Sequence, residues 1–232
     1  MGKTTVAVNL AVALRMMNYK VLLLDGDTSN PTIGIALGME EANIGYADLV
    51  SKKTKVDKLV SIHAASGVHV IPGTLHTKPF IPTAVQIKRL HDELAASGYD
   101  FVIIDSSPGY YTDYEFSFWD EGLVVATPDM TAITSCLRLE RSFKKAKTKC
   151  ELVLNMVRGR RYELREEEIE EAWGSKIAGS LPYDDSVNAA AAERIPVYIS
   201  GKDSAFSRTI RVLAGKYAKG SSRNLRSILG FR

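Results

Sequence analysis

Cysteine is scarce in this chain. Cys136 and Cys150 are the two present among 232 residues, at neither a C-x-x-C nor a metal-ligand spacing. A disulfide framework and an iron–sulfur centre are therefore not expected, and a reducing cytoplasm suits the composition. His63, His69, His76 and His91 show no ligand spacing and no triad logic, so they receive no role. An excess of one charge is lacking too: a formal net charge of +3 is too small to imply nucleic-acid binding over the whole surface. No apolar run approaches the length of about 20 residues that a bilayer-spanning helix needs. No signal-peptide pattern leads the chain, and Val6 stands where N-myristoylation wants Ser or Thr. What is left is a 45% hydrophobic chain, long enough to bury the core of one ordinary soluble domain.

The apolar residues alternate between two periods. Short continuous runs at 20–25, 68–72, 101–105, 123–127, 151–155 and 177–181 read as strands, and helical stretches fall at 4–17, 82–96, 132–146 and 163–173. This order predicts an α/β fold in which a mostly parallel sheet is covered on both faces. In such sheets ligands collect at the carboxyl ends of the strands, and that is where the polar motifs sit. No linker, repeat or low-complexity tract divides the chain before Gly220.

Met1-Gly2-Lys3-Thr4-Thr5 is the second half of a phosphate-binding loop, G-x-x-x-x-G-K-[ST], with its first half missing. A helical pattern of Val6, Leu10, Ala13, Leu14 and Met17 follows at once. Further on, a buried run ends in Asp25-Gly26-Asp27, where an aspartate serves equally to cap the next turn. The run Phe101-Val102-Ile103-Ile104-Asp105, followed by Ser106-Ser107-Pro108-Gly109, has the form of a Walker-B strand. Its carboxylate would hold Mg²⁺ through water, and Gly109 would let a backbone N–H approach a terminal phosphate. A third run ends in Asn155, whose amide can donate to and accept from an adenine edge, or simply shape a turn.

In this order and spacing the motifs resemble the deviant Walker-A ATPases of the MinD/ParA family, with its K-G-G-x-G-K-T-[TS], D-x-D, I-I-D-x-x-P-G and strand-ending Asn. Leu181-Pro182-Tyr183-Asp184, Ala189 to Ala192 and Pro196-Val197 extend the likeness over nearly the whole chain. The resemblance implies a three-layer P-loop fold, with ATP and Mg²⁺ as cofactors, and hydrolysis by in-line attack of water on the γ-phosphate. It implies that Gly2, Lys3, Thr4 and Thr5 cradle the phosphates, Lys3 neutralising the β- and γ-groups. Thr4 and Asp105 would serve the metal, and Asp27 would orient the water. Gly109 would sense the γ-phosphate, and Asn155, Pro182 and Asp184 would surround the base. No T-K-x-D guanine motif of the signal-recognition GTPases is present.

One departure stands out. The signature lysine, the two glycines after it and the strand leading into them are absent. In this fold that strand is central, so the expectation is a sheet with its first strand missing and buried N–H and C=O groups unpaired. The expected explanation is a misassigned start: Met1 occupies the variable position of K-G-G-x-G-K-T, and the native chain would carry roughly a dozen more residues, including a strand of about 5–6. Without them the chain is expected to bind ATP poorly.

From Ser204 onward the chain has no acidic residue, while Arg208, Arg211, Lys216, Lys219, Arg223, Arg226 and Arg232 are all basic. After a Gly220-Ser221-Ser222 joint, Leu225, Ile228 and Leu229 share one helical face, with Phe231 near its edge. This resembles the membrane-targeting tail of MinD-type proteins, an interfacial helix. The expected organisation is thus an ATPase domain over 1–219 and a basic amphipathic tail over 220–232. The aromatic run after Gly109 places Tyr111, Tyr114 and Phe118 on one helical face, expected to pack in the core. The reading as a whole is a MinD-like switch: an ATP-dependent homodimer, cytoplasmic and peripheral at the inner face of the cell membrane, positioning machinery with an activating or cargo protein. The alternatives are a ParA-type partition ATPase that binds DNA nonspecifically, and a non-catalytic module that has lost its P-loop.

Overall fold

The computed structural model describes residues 2–39, 42–51, 53–74, 81–106, 116–200, 203–219 and 226–231, the last stretch by its backbone. The order of elements opens with α1 (Lys3–Met16), β1 (Val21–Gly26) and three one-turn helices, α2 (Ile33–Ala36), α3 (Tyr46–Val50) and α4 (Val56–Leu59). Then come β2 (Ser61–Ile62), β3 (His69–Ile71), α5 (Ala84–Ala95), β4 (Phe101–Ser106), β5 (Glu121–Ala126) and α6 (Met130–Ala146). The remainder is β6 (Lys149–Val157), α7 (Glu166–Trp173), β7 (Gly179–Pro182), α8 (Asp185–Ala192), a 3-10 turn (Val197–Ile199), α9 (Ala205–Lys219) and β8 (Arg226–Phe231).

The strands form one sheet in the order β2-β3-β1-β4-β8-β5-β6-β7. All its pairs are parallel except β2 with β3. Because side chains alternate along a strand, each apolar strand feeds both faces. Leu23, Ile103, Val125 and Val153 pack with α1 and α9 on one side. Leu24, Ile104, Val124 and Leu152 pack with α3, α5, α6 and α7 on the other. This is the expected three-layer α/β arrangement.

Local signals set the helix starts. Thr83 caps α5, accepting from the Gln86 N–H, while the Gln86 side chain accepts from the Thr83 N–H. Asp129 caps α6 through the Ala132 N–H at 2.9 Å. The acid-rich α7 turns Ile169 and Trp173 inward and leaves most of its carboxylates outside. Phe116 and Trp119 are buried, with Phe116 stacked 4.2 Å from Phe143. Tyr111 and Tyr114 lie outside the described residues, as do Gly109 and Leu225.

The C-terminal segment departs from expectation. Arg226–Phe231 is a strand inside the sheet, and the predicted interfacial helix with Ile228, Leu229 and Phe231 on its face is not formed. Its backbone runs parallel to β4, with Ile103 opposite Ile228 and Asp105 opposite Gly230. It also runs parallel to β5, with Glu121 opposite Ile228 and Val124 opposite Phe231. The tail is therefore continuous with the domain, and the central position is occupied although no described strand precedes α1. The physical reason lies in the neighbours. Among the described strands, β8 is the partner of the facing edges of β4 and β5, and each buried polar group left orphaned on such an edge costs about 1–3 kcal/mol. Satisfying two edges at once outweighs the helical spacing of a few apolar residues.

Candidate nucleotide site

The site begins at the amino end of α1. Gly2 caps the helix in a left-handed conformation, φ 76°, and brings no side chain of its own to the first N–H groups of the helix. Those N–H groups point outward with the positive end of the helix dipole, an arrangement suited to an anion. A Cβ on Gly2 would lie 2.6 Å from the Asn155 amide nitrogen, so glycine is required by contact as well as by φ. Thus α1 and β6 meet at this residue, which brings Asn155 beside the phosphate-loop remnant.

Thr4 and Asp105 are joined directly: the Thr4 hydroxyl donates to Asp105 Oδ2 at 2.5 Å and lies 3.1 Å from the Thr32 hydroxyl. Asp105 is buried, and its other oxygen, Oδ1, has no hydrogen-bond partner. Burial pushes its carboxyl up to about 6, against the pull of the Thr4 hydrogen bond and the Lys3 ammonium. Opposite it in the β1–β4 register stands Asp25, also buried. Desolvation pushes Asp25 up to about 7 although the Ile33 N–H bonds to it at 2.9 Å, and the Asp105 charge adds to the rise.

This donor set fits a hard divalent cation. A hydroxyl, a carboxylate with an orphaned oxygen and a negative surrounding are what Mg²⁺ uses together with phosphate oxygens. Among the described residues no group of three or more His, Cys, Asp or Glu gathers to hold a metal, so a cation here would depend on oxygens from a bound ligand. Asp27 stands near both buried carboxyls. In this structure its Oδ1 accepts from the N–H groups of Ser29 and Asn30, each at 3.0 Å, so it also shapes the turn that its position allowed.

Beside α1 opens a cleft lined by Thr5, Asn155, Pro182 and Asp184 with Met156, Tyr183 and Phe206. It gathers the predicted base-binding residues and joins them to Thr5. Asp184 plays a structural part there. Its Oδ1 accepts from the Ser186 N–H and hydroxyl, capping α8, and its Oδ2 accepts from the Phe206 N–H of α9 at 3.3 Å. Burial opposes its ionisation, but these hydrogen bonds prevail and hold its carboxyl below the usual range.

The sequence agrees with this geometry. A family model for the CobQ/CobB/MinD/ParA nucleotide binding domain matches residues 1–197. The chain belongs to that family. An uncharacterised ATP-binding protein of Methanocaldococcus jannaschii is 32% identical over 217 residues, 92% of this chain and 82% of the relative. The septum site-determining protein MinD of Thermotoga maritima is 27% identical over 92% of this chain and 82% of its own length. Among solved structures, MinD of Pyrococcus horikoshii complexed with Mg-ADP superposes with a TM-score of 0.83 at 22% identity, over 95% of this chain and 92% of that one.

Within this MinD/ParA frame, sequence reasoning missed several residues. Thr32 beside Thr4 carried no spacing signal, and Asp25 was legible only as the first acid of Asp25-Gly26-Asp27. Tyr183 lines the cleft with the Arg158 guanidinium 3.4 Å from its ring centre. That stack joins two loops far apart in sequence, so no local pattern announces it.

Proposed function

We propose that this chain is a MinD-like ATP switch that binds Mg-ATP, hydrolyses it, pairs with a second copy while ATP is bound, and attaches reversibly to the membrane to position other machinery. The observation that carries the proposal is the convergence of Lys3, Thr4 and the half-satisfied Asp105 at the amino end of α1, next to the cleft bounded by Asn155. In this reading the α1 N–H groups and Lys3 hold the β- and γ-phosphates, and Thr5 meets the α-phosphate. The Asn155 amide pairs with the adenine edge, flanked by Pro182 and Asp184. Thr4 and Asp105 would hold Mg²⁺, which supplies neutralisation of the charge on the transferring phosphoryl group. Asp27 positions the attacking water after giving up its turn contacts to Ser29 and Asn30. Catalysis then rests on placement and charge.

Membrane attachment through Ile228, Leu229 and Phe231 requires β8 to leave the sheet, so attachment competes with a docked strand. Titration calorimetry of the full chain with Mg-ATP tests the nucleotide part of the reading. The chain is expected to bind weakly and in a Mg²⁺-dependent way, and Lys3→Ala and Asp105→Asn are each expected to weaken binding further, at least about tenfold, the loss of one charge-assisted contact. Equal affinity in all three proteins overturns the assignment.

A further inference from the structure

Within the buried run from Val6 to Leu14 of α1, Asn9 is the polar residue, 3% exposed. An apolar side chain would pack there without polar cost, and a buried amide is tolerated only when its polar atoms are paired. Both ends of this one are. Its Nδ2 donates to the Thr5 carbonyl at 2.8 Å, and its Oδ1 accepts from the Tyr198 N–H at 2.9 Å. The first bond is additional to the helix ladder, in which the Thr5 carbonyl already accepts from the N–H of residue 9. The second crosses to the 3-10 turn Val197–Ile199, since N–H groups at the start of a helical turn lack partners inside it. From that turn the bonds continue into the start of α9. The Ser207 hydroxyl donates to the Val197 carbonyl at 3.5 Å, and the Ser204 hydroxyl donates to Ser207 Oγ at 3.0 Å. On the same turn of α9 the Phe206 N–H donates to Asp184 Oδ2 at 3.3 Å. Ser204 and Ser207 are buried like Asn9.

The two ends of this relay reappear as walls of the cleft: Thr5 on one side, Phe206 and Asp184 on the other. Asn9 itself does not line the cleft, so whatever it does to a ligand it does through Thr5 and through the turn that carries Tyr198. We propose that Asn9 is a positioning residue for the nucleotide, and that its buried hydrogen-bond relay fixes the span between the phosphate end of the cleft at Thr5 and the base wall at Asp184. The inference rests on the nucleotide reading above. A ligand that touches one end alone gains nothing from a fixed span. One that bridges both ends is spared the cost of bringing them into place. Linkage makes the effect reciprocal, so a bridging ligand also tightens the relay. Polar chains of this kind act as a unit when every member is paired, and cutting one link then loosens the rest.

Titration of the full chain with two probes, Mg-ATP and Mg-tripolyphosphate, tests the assignment, because only the first reaches from Thr5 to the base wall. Asn9→Ala is expected to raise the Kd for Mg-ATP roughly 5- to 150-fold and to leave the Kd for Mg-tripolyphosphate within about twofold. Equal losses for both probes mark a residue that merely supports the first turn of α1 and overturn the proposal, as does unchanged Mg-ATP binding. Ser207→Ala cuts the relay at its far end without touching α1, and it decides the matter where Asn9→Ala fails to fold. It is expected to show the same split between probes. The double variant is expected to lose no more than Asn9→Ala alone, and losses that simply add dissolve the relay. A wild-type chain that binds neither probe overturns the nucleotide reading and this inference with it, an outcome distinct from binding without the split.

Discussion

Asp25 and Asp105 face each other across two parallel strands, and burial holds both above the ordinary carboxyl value of 3.8, at about 7 and about 6. The native state therefore keeps protons that the unfolded chain releases as pH rises past 3.8. Stability from this pair is fully present below that value and is lost as pH climbs through about 6 and then about 7. In divalent-free buffer the urea midpoint should accordingly be higher at pH 5 than at pH 7.5, so far as these groups govern it. Asp25→Asn should bring the two midpoints together. A variant that keeps the whole pH slope would move its origin elsewhere. Mg-ATP should also narrow the difference, because positive charge beside Asp105 favours its ionised form.

At the scale of the element, two helix caps separate stability from binding. Thr83 caps α5, none of whose residues lines the cleft, and Asp184 caps α8 while also holding the Phe206 N–H. Thr83→Ala should lower stability by about 1 kcal/mol and leave nucleotide affinity unchanged. Asp184→Ala should cost about 1–2 kcal/mol and also weaken Mg-ATP binding, since it frees the wall of the cleft. Chemical denaturation and calorimetry on the same two proteins separate these effects, and equal affinity losses would contradict the assignment.

The same elements show how far the sequence could be read. Periodicity located β1, β4, β5, β6 and α5 to within a few residues, because each is bounded by turn residues and feeds the core with one period. The acids and amide of the site were legible because they end buried strands. Thr32 and the Arg158–Tyr183 stack were not, since tertiary packing creates both. The segment Arg226–Phe231 was misread because its local spacing favours an amphipathic helix. Two neighbouring strand edges, more than 100 residues upstream in β5 and further still in β4, decide its state.

For the molecule as a whole, a charged network lies at the end of the sheet opposite the nucleotide site. Lys149 pairs with Glu121 at 2.6 Å and Glu151 at 2.8 Å, and Glu151 also takes Lys216 at 3.0 Å and the Tyr217 hydroxyl at 3.0 Å. It thereby ties β5 and β6 to α9. Glu151→Ala leaves the buried Tyr217 hydroxyl without this acceptor and should lower stability by roughly 1–3 kcal/mol. Lys216→Ala, at a half-exposed position, should cost no more than about 1 kcal/mol. Thermal unfolding of both variants checks this order, and a larger loss from Lys216→Ala would reverse it.

The position of β8 also bears on how the molecule is made. This strand is translated after every other described element, yet it belongs in the middle of the sheet. Among the described strands, those made earlier fall into two groups, β2-β3-β1-β4 and β5-β6-β7, whose facing edges β8 covers. Completion of the fold waits on residues that leave the ribosome late. A single proteolytic cut between α9 and β8 would then loosen a strand held between β4 and β5 at the centre of the described sheet.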